Sequence, residues 1–151
     1  MAKKDTAPNL SIKIQAFEQA CRERGMRVTH QRLEIFKELA SAPGHPSAEE
    51  IYDRVHKKLP SIALDTVYRT IDTFENMNLV KRVKFMDNRT RFDTNIFTHH
   101  HLVCTKCNRI EDFYWPAFDD LKVPDALKDW GIVNTRRAEI RGLCSKCRNK
   151  K

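Results

Sequence analysis

Residues 63–93 read ALDTVYRTIDTFENMNLVKRVKFMDNRTRFD, and a change of period inside this stretch decides the fold. From about Ala63 to Glu75 the apolar Val67, Ile71 and Phe74 recur at a helical period. Leu79-Val80-Lys81-Arg82-Val83-Lys84-Phe85 then alternates as a strand does, Asp87-Asn88 suits a turn, and Thr90-Arg91-Phe92-Asp93 returns. Three helical patterns precede this one. Leu10, Ile14, Phe17 and Cys21 mark the first, which Gly25 stops. Thr29 suits the cap of a second, with Leu33, Ile35, Phe36 and Leu39 inward. Ala42-Pro43-Gly44-His45-Pro46 is a loop, and Ser47-Ala48-Glu49-Glu50 is a capping box opening a third helix through Ile51 and Val55. Short helices followed by a hairpin match a winged helix-turn-helix, the last helix entering a major groove and the hairpin serving as wing. The solvent face of that helix offers Thr66, Tyr68, Arg69 and Thr73, with Thr70 near the edge, all suited to phosphates and base edges. Asp65 lies four residues before Arg69 and is expected to orient it. The same order of elements also fits an ordinary helical bundle with a solvated polar face.

After Asp93 the pattern changes. Short alternating stretches at His101–Cys104, Arg109–Phe113 and Ile132–Leu143 predict strands, and a helix interrupted near Pro124 is expected between Ala117 and Trp130. Such a unit is too small for a large core and calls for a staple. Two Cys-x-x-Cys pairs, Cys104–Cys107 and Cys144–Cys147, supply one: four thiolates in this spacing make a closed tetrahedral zinc site. A redox pair of the thioredoxin type would need a βαβ context that neither pair has. Lone Cys21, on an apolar helix face, reads as a core residue. The upstream cluster His99-His100-His101 cannot belong to the filled zinc site. His99 and His101 share one side of a strand and His100 faces the other. With Asp93 and Asp112 nearby they form a harder donor set, suited to Fe²⁺, Mn²⁺, Co²⁺ or Zn²⁺.

Composition narrows the partners. At 151 residues the chain fits one ordinary domain or two small ones. No apolar run approaches the roughly 18 residues of a membrane span. The opening MAKKDTAPNL has no apolar signal region, which implies a cytoplasmic, reducing setting. The formal charge of +8 favours a polyanionic partner. Zinc tetrathiolate would contribute about −2 and a second divalent ion would restore about +2.

Together these residues resemble the ferric uptake regulator superfamily of bacterial metal-dependent repressors, and most closely its peroxide-sensing branch. The resemblance runs from about Leu10 to Cys147. Its markers are the stretch from Gly25 to Arg32, His45-Pro46-Ser47-Ala48-Glu49-Glu50-Ile51-Tyr52, Thr66-Val67-Tyr68-Arg69-Thr70 and Asn78-Leu79-Val80. Downstream come Arg91-Phe92-Asp93, His99 to Cys107, Ile110-Glu111-Asp112-Phe113 and the last cysteine pair. It implies an α+β protein. Residues 1–90 would be a winged helix-turn-helix DNA-binding domain with a flexible arm at 1–9. Residues 91–151 would be a small α/β dimerisation domain with structural zinc.

The resemblance also implies roles. Structural Zn²⁺ falls on Cys104, Cys107, Cys144 and Cys147; a regulatory Fe²⁺ or Mn²⁺ falls on His45, Asp93, His99, His101 and Asp112. His45 is the ligand that spacing alone does not supply. DNA contacts fall on Arg27, Thr66, Tyr68 and Arg69, and the partners are pseudo-palindromic operator DNA and a second copy of the chain, with no membrane and no small organic substrate. Asp112 points to the peroxide branch, in which His45 or His99 is oxidised and the metal is lost. A sensor so consumed does not turn over and is not an enzyme. Thr98, His100, Arg136 and Arg137 replace ligands of a further metal site, which is therefore expected to be absent. The alternatives are a repressor of the same family answering to iron or manganese availability and, more remotely, a metalloenzyme.

Overall fold

The computed structural model describes residues 9–84 and 88–150, so residues 1–8 of the expected arm and the expected strand and turn residues Phe85 and Asp87 lie outside the described residues. These form two compact units, 9–96 and 97–150. No helix among them is long and apolar enough to cross a membrane.

The first unit opens with four helices: α1 (Leu10–Glu23), α2 (His30–Ser41), α3 (Ala48–Lys58) and α4 (Leu64–Asn76). Their ends follow local chemistry. Asn9 Oδ1 accepts from the Ile12 N–H and caps α1, Thr29 caps α2 through the Arg32 N–H, and Ser47 and Glu50 complete a reciprocal capping box on α3. Two helices close in the same way. At α1, Met26 N–H bonds Cys21 O and Gly25 N–H bonds Arg22 O, with Gly25 at φ 63°. At α4, Leu79 N–H bonds Phe74 O and Asn78 N–H bonds Glu75 O, with Asn78 at φ 56°. Both are Schellman endings, and both residues tolerate the left-handed backbone that the motif demands. Ala63 caps α4 without a side-chain bond.

The core of this unit is Phe17, Phe36 and Phe74, two rings stacked at 4.4 Å and the third edge-on at 5.2 and 5.8 Å. Ile35, Ile51, Val55, Val67 and Ile71 surround them, and Cys21 is buried among them as a core thiol. Burial raises its pKa. β1 (Lys81–Lys84) and β2 (Thr90–Asp93) pair antiparallel, Lys81 opposite Asp93 and Lys84 opposite Thr90. Arg82 ties this hairpin to α4 by bonding Asp72 and Glu75, while its guanidinium lies over the Phe92 ring. The described residues of this unit thus form a winged helix-turn-helix.

The second unit is a three-stranded sheet in the order β4-β3-β5, made of β3 (His100–Cys104), β4 (Ile110–Phe113) and β5 (Glu139–Gly142). β3 runs antiparallel to β4 and parallel to β5. Two expectations shrink here. The helix awaited over 117–130 is a single turn, α5 (Pro116–Asp119), followed by a 3₁₀ segment over Asp125–Trp130. The strand awaited over 132–143 pairs only at Glu139–Gly142. One residue accounts for much of both. Arg136 donates to the carbonyls of Asp119 and Leu121, which takes acceptors from any continuing helix and draws the approach to β5 away from the ladder. Pro124 completes the break, since the residue before a proline avoids the helical region. The last turn, α6 (Ser145–Arg148), follows Cys144 directly.

Candidate metal centres

β3 ends at Cys104 and turns through Cys107, with Asn108 at φ 57° returning its N–H to Cys104 O. The parallel pairing of β3 with β5 puts Cys104 opposite Gly142, so the chain leaving β5 delivers Cys144 and, one helical turn on, Cys147. The four sulfurs lie within 4.8 Å of one another, and Cys107 Sγ is 3.8 Å from Cys144 Sγ. A tetrahedron with Zn–S near ~2.3 Å has an edge of about 3.8 Å. The same separation is far from a disulfide bond. Backbone N–H groups of Cys144, Cys107 and Lys106 pull the Cys104 thiol down to about 6, whereas hydrogen bonding to the Cys144 and Cys107 sulfurs pushes Cys147 up to about 12. One thiolate therefore forms readily, and the last proton is held by the charge that would accumulate. A divalent cation is what four thiolates need, and the donor set fits zinc.

On the other end of β3 the pairing with β4 sets His101 opposite Asp112. His99 Nε2 lies 3.1 Å from His101 Nε2. Asp112 Oδ1 is 3.5 Å from His101 Nε2, and Asp112 Oδ2 is 3.8 Å from His99 Nε2. His99 Nδ1 lies 2.7 Å from Phe97 O, which assigns it the proton and makes Nε2 the nitrogen that carries the lone pair. Two imidazole nitrogens on one ion at ~2.1 Å would be about 3.0–3.4 Å apart. These three side chains could hold one cation of the borderline or harder kind.

In the first unit, His45 Nε2 lies 3.3 Å from Asp93 Oδ2. The loop before α3 is pinned to β2 beside this pair: Phe92 N–H donates to Pro46 O, and Arg91 Nη1 donates to His45 O. Asp93 Oδ1 accepts from Asn95 N–H. This is a second His/Asp donor pair, in a loop and strand held by these bonds.

His100 faces away from His99 and His101, as strand alternation requires. It is fully buried, accepts from Ala138 N–H at Nδ1, and sets Nε2 3.2 Å from Asp119 Oδ1. Phe113, Trp115 and Phe118 surround its ring. Arg136, one of the four residues expected to replace ligands of a further site, is the tie to Asp119 O and Leu121 O already described.

Of the expected DNA contacts, Thr66, Tyr68 and Arg69 lie together on α4 and Arg27 lies in the α1–α2 turn, its carbonyl accepting from Arg32. Arg69 Nε bonds Asp65 Oδ2 at 2.8 Å, in the arrangement their spacing predicts. Thr70 is a correction: it is buried rather than at the edge of the solvent face. Two partners escaped the sequence, Asp119 for His100 and Glu49 for Tyr68. Each pair joins different elements, so no helical or strand period could reveal it.

A family model described as the ferric uptake regulator family matches residues 23–136. The peroxide-responsive repressor of Staphylococcus epidermidis (strain ATCC 12228 / FDA PCI 1200) is 35% identical over 128 residues, spanning 84% of this chain and 85% of that protein. Among solved structures, a zinc-bound manganese uptake regulator is 33% identical with a TM-score of 0.67, over 84% of this chain and 97% of that one. The Helicobacter pylori ferric uptake regulator superposes at a TM-score of 0.75 over 96% of this chain and 97% of that one; at 19% identity the likeness speaks for the fold alone. With a family match across most of its length and a relative above 30% identity, the chain belongs to the ferric uptake regulator family.

Proposed function

We propose that the chain is a metal-dependent, DNA-binding transcriptional repressor, cytoplasmic and homodimeric, that releases pseudo-palindromic operator DNA when it meets hydrogen peroxide. The observation that carries the reading is the pair of imidazoles beside Asp112, whose Nε2 atoms approach to 3.1 Å. They make a nitrogen and oxygen site separate from the four thiolates, so one chain offers a closed structural position for Zn²⁺ and a distinct regulatory one. In this reading His45 and Asp93 complete the regulatory set with His99, His101 and Asp112, and the ion is Fe²⁺ or Mn²⁺. Residues from both domains then share one ion, and the ion favours the DNA-competent arrangement by as much as its affinity for the two arrangements differs.

When bound, Fe²⁺ supplies the reduction of hydrogen peroxide. The part played by the chain is to hold the rings of His45 and His99 where they are oxidised. In net terms one peroxide oxygen is added to a ring carbon and the other leaves as water. The altered imidazole is a poorer ligand, its grip fails, and repression lifts. With Mn²⁺ held by the same residues, repression is insensitive to peroxide. The protein is consumed rather than turned over, which sets it apart from an enzyme.

The 35% identical peroxide-responsive repressor supports this signal. The 33% identical manganese uptake regulator supports the second reading, a repressor that answers to metal availability with the same donors. Anaerobic operator binding with Fe²⁺ and with Mn²⁺, each before and after peroxide, separates them. Loss of binding with Fe²⁺ alone, together with a one-oxygen mass gain on the His45 or His99 peptide, is expected. Iron-loaded protein that keeps both its mass and its DNA after peroxide would sink the peroxide reading and leave the second.

A further inference from the structure

The exposed face of α4 carries a bond that the family reading does not use. Tyr68 is 39% exposed, yet its hydroxyl donates to Glu49 Oε1 on the first turn of α3. A phenol has one O–H to give. Given to a carboxylate of the same protein, it is withdrawn from any phosphate or base acceptor, and the oxygen turns towards α3. The anchor is firm. Glu49 lies within the capping box that Ser47 and Glu50 close, where a carboxylate suits the positive end of the helix. α3 and α4 are fixed to each other by the buried Ile51, Val55, Val67 and Ile71. The Tyr68 bond, more than any other influence, holds the Glu49 carboxyl below its ordinary range, and Glu49 in turn raises the phenol. Near neutral pH the pair is a protonated donor on an ionised acceptor, the stronger kind of hydrogen bond. Arg69, the neighbour on this face, is tied in parallel fashion to Asp65. Two reading side chains are thus oriented before DNA arrives, which spares their ordering cost at binding.

We propose that Glu49 is a positioning residue for operator recognition: it holds Tyr68 so that the ring edge, not the hydroxyl, meets the bases, and the base so read is a thymine through its C5 methyl. An aromatic C–H edge and a methyl group match as apolar surfaces in the major groove, where thymine alone presents that methyl. The inference rests on the DNA-binding reading above and adds a residue outside α4 to it.

The test uses the full chain loaded with Zn²⁺ and Mn²⁺ and a random pool of double-stranded DNA, enriched separately on wild type, Glu49→Ala, Glu49→Gln and Tyr68→Phe. Wild type is expected to enrich a thymine at one position per half-site. Glu49→Ala and Tyr68→Phe should each lower that preference about tenfold at the same position, the order of one base-pair contact. A fifth protein carrying both Glu49→Ala and Tyr68→Phe should lose no more than either single variant, because both changes break one tether. Glu49→Gln keeps an acceptor and should keep the thymine. If Glu49→Ala retains the wild-type base pattern, or weakens every sequence alike, the positioning role is wrong. If wild type itself enriches nothing, the DNA-binding reading falls first, so the two failures are distinguishable. Glu49→Gln and Tyr68→Phe keep the test decisive should Glu49→Ala fold poorly.

Discussion

Ser47 shows how one residue serves two ends. Its hydroxyl accepts from the Glu50 N–H, and its own N–H is taken by the Glu50 carboxylate. Directly before it, Pro46 O accepts the Phe92 N–H and His45 O accepts Arg91. The cap therefore fixes both the start of α3 and the departure of the His45 loop. Ser47→Ala should cost ~1 kcal/mol of stability, the usual worth of an N-cap hydroxyl, read as a lower urea midpoint with unchanged slope. This feature was legible in the sequence because a capping box is local, four residues in a row. Gly25 and Asn78 were legible for the same reason, since each answers a backbone demand inside its own helix ending. Glu49 and Asp119 were not, because what makes them matter is a side chain on another element.

Between elements, the same contrast separates the two units. The helices of the first were readable because their apolar residues keep a period that one core enforces. The 117–138 stretch of the second was not: it has no such core face, Ile132 is 84% exposed, and Arg136 fixes its path through backbone carbonyls. What joins β3 to β5 is the pairing of five-residue and four-residue strands together with the cysteine cluster. Cys107→Ser should abolish stoichiometric zinc and release the C-terminal strand to protease, since zinc binding here contributes to folding. A variant that keeps one zinc per chain would refute the tetrathiolate site. α2 and α3 are linked differently, by charge. Glu34 Oε1 lies 2.9 Å from Lys37 Nζ and its Oε2 3.5 Å from Lys58 Nζ, which itself sits 2.7 Å from Glu38. The bond to Lys37, ahead of smaller Coulombic help from Lys37 and Lys58, holds the Glu34 carboxyl below its ordinary 4.5 although burial opposes this. A carboxyl depressed on folding stabilises the folded state above its unfolded pKa and loses that contribution as pH falls through the folded value. Glu34→Gln should therefore cost about 1 kcal/mol at neutral pH, and the difference from wild type should close as denaturation is repeated below pH 4.5. An equal cost at every pH would assign the loss to packing.

Across the whole molecule, the regulatory reading joins a loop of the first unit to a strand of the second, and sequence spacing could never have paired His45 with His99. The resemblance supplied that residue; the structure adds that His45 is already matched to Asp93 at 3.3 Å and that its loop is bonded to β2. His45→Ala is the variant that isolates the proposed clamp. It touches none of the four cysteines, so zinc content and dimer mass should match wild type. It also touches no residue of α4, so binding to DNA without regulatory metal, and the slope of that binding against salt, should be unchanged; the slope counts phosphate contacts, which a net charge of +8 supplies independently of this site. What should vanish is the gain on adding Mn²⁺. A metal can shift a conformational equilibrium only by its differential affinity, commonly about 5–150-fold in ligand binding, and removing the first unit's imidazole removes much of that difference. Wild type should gain in that range and His45→Ala less than about twofold, measured by fluorescence anisotropy on one selected duplex. If the variant gains as much as wild type, the ion does not act through His45, and metal control would have to run within the second unit through His99, His101 and Asp112 alone.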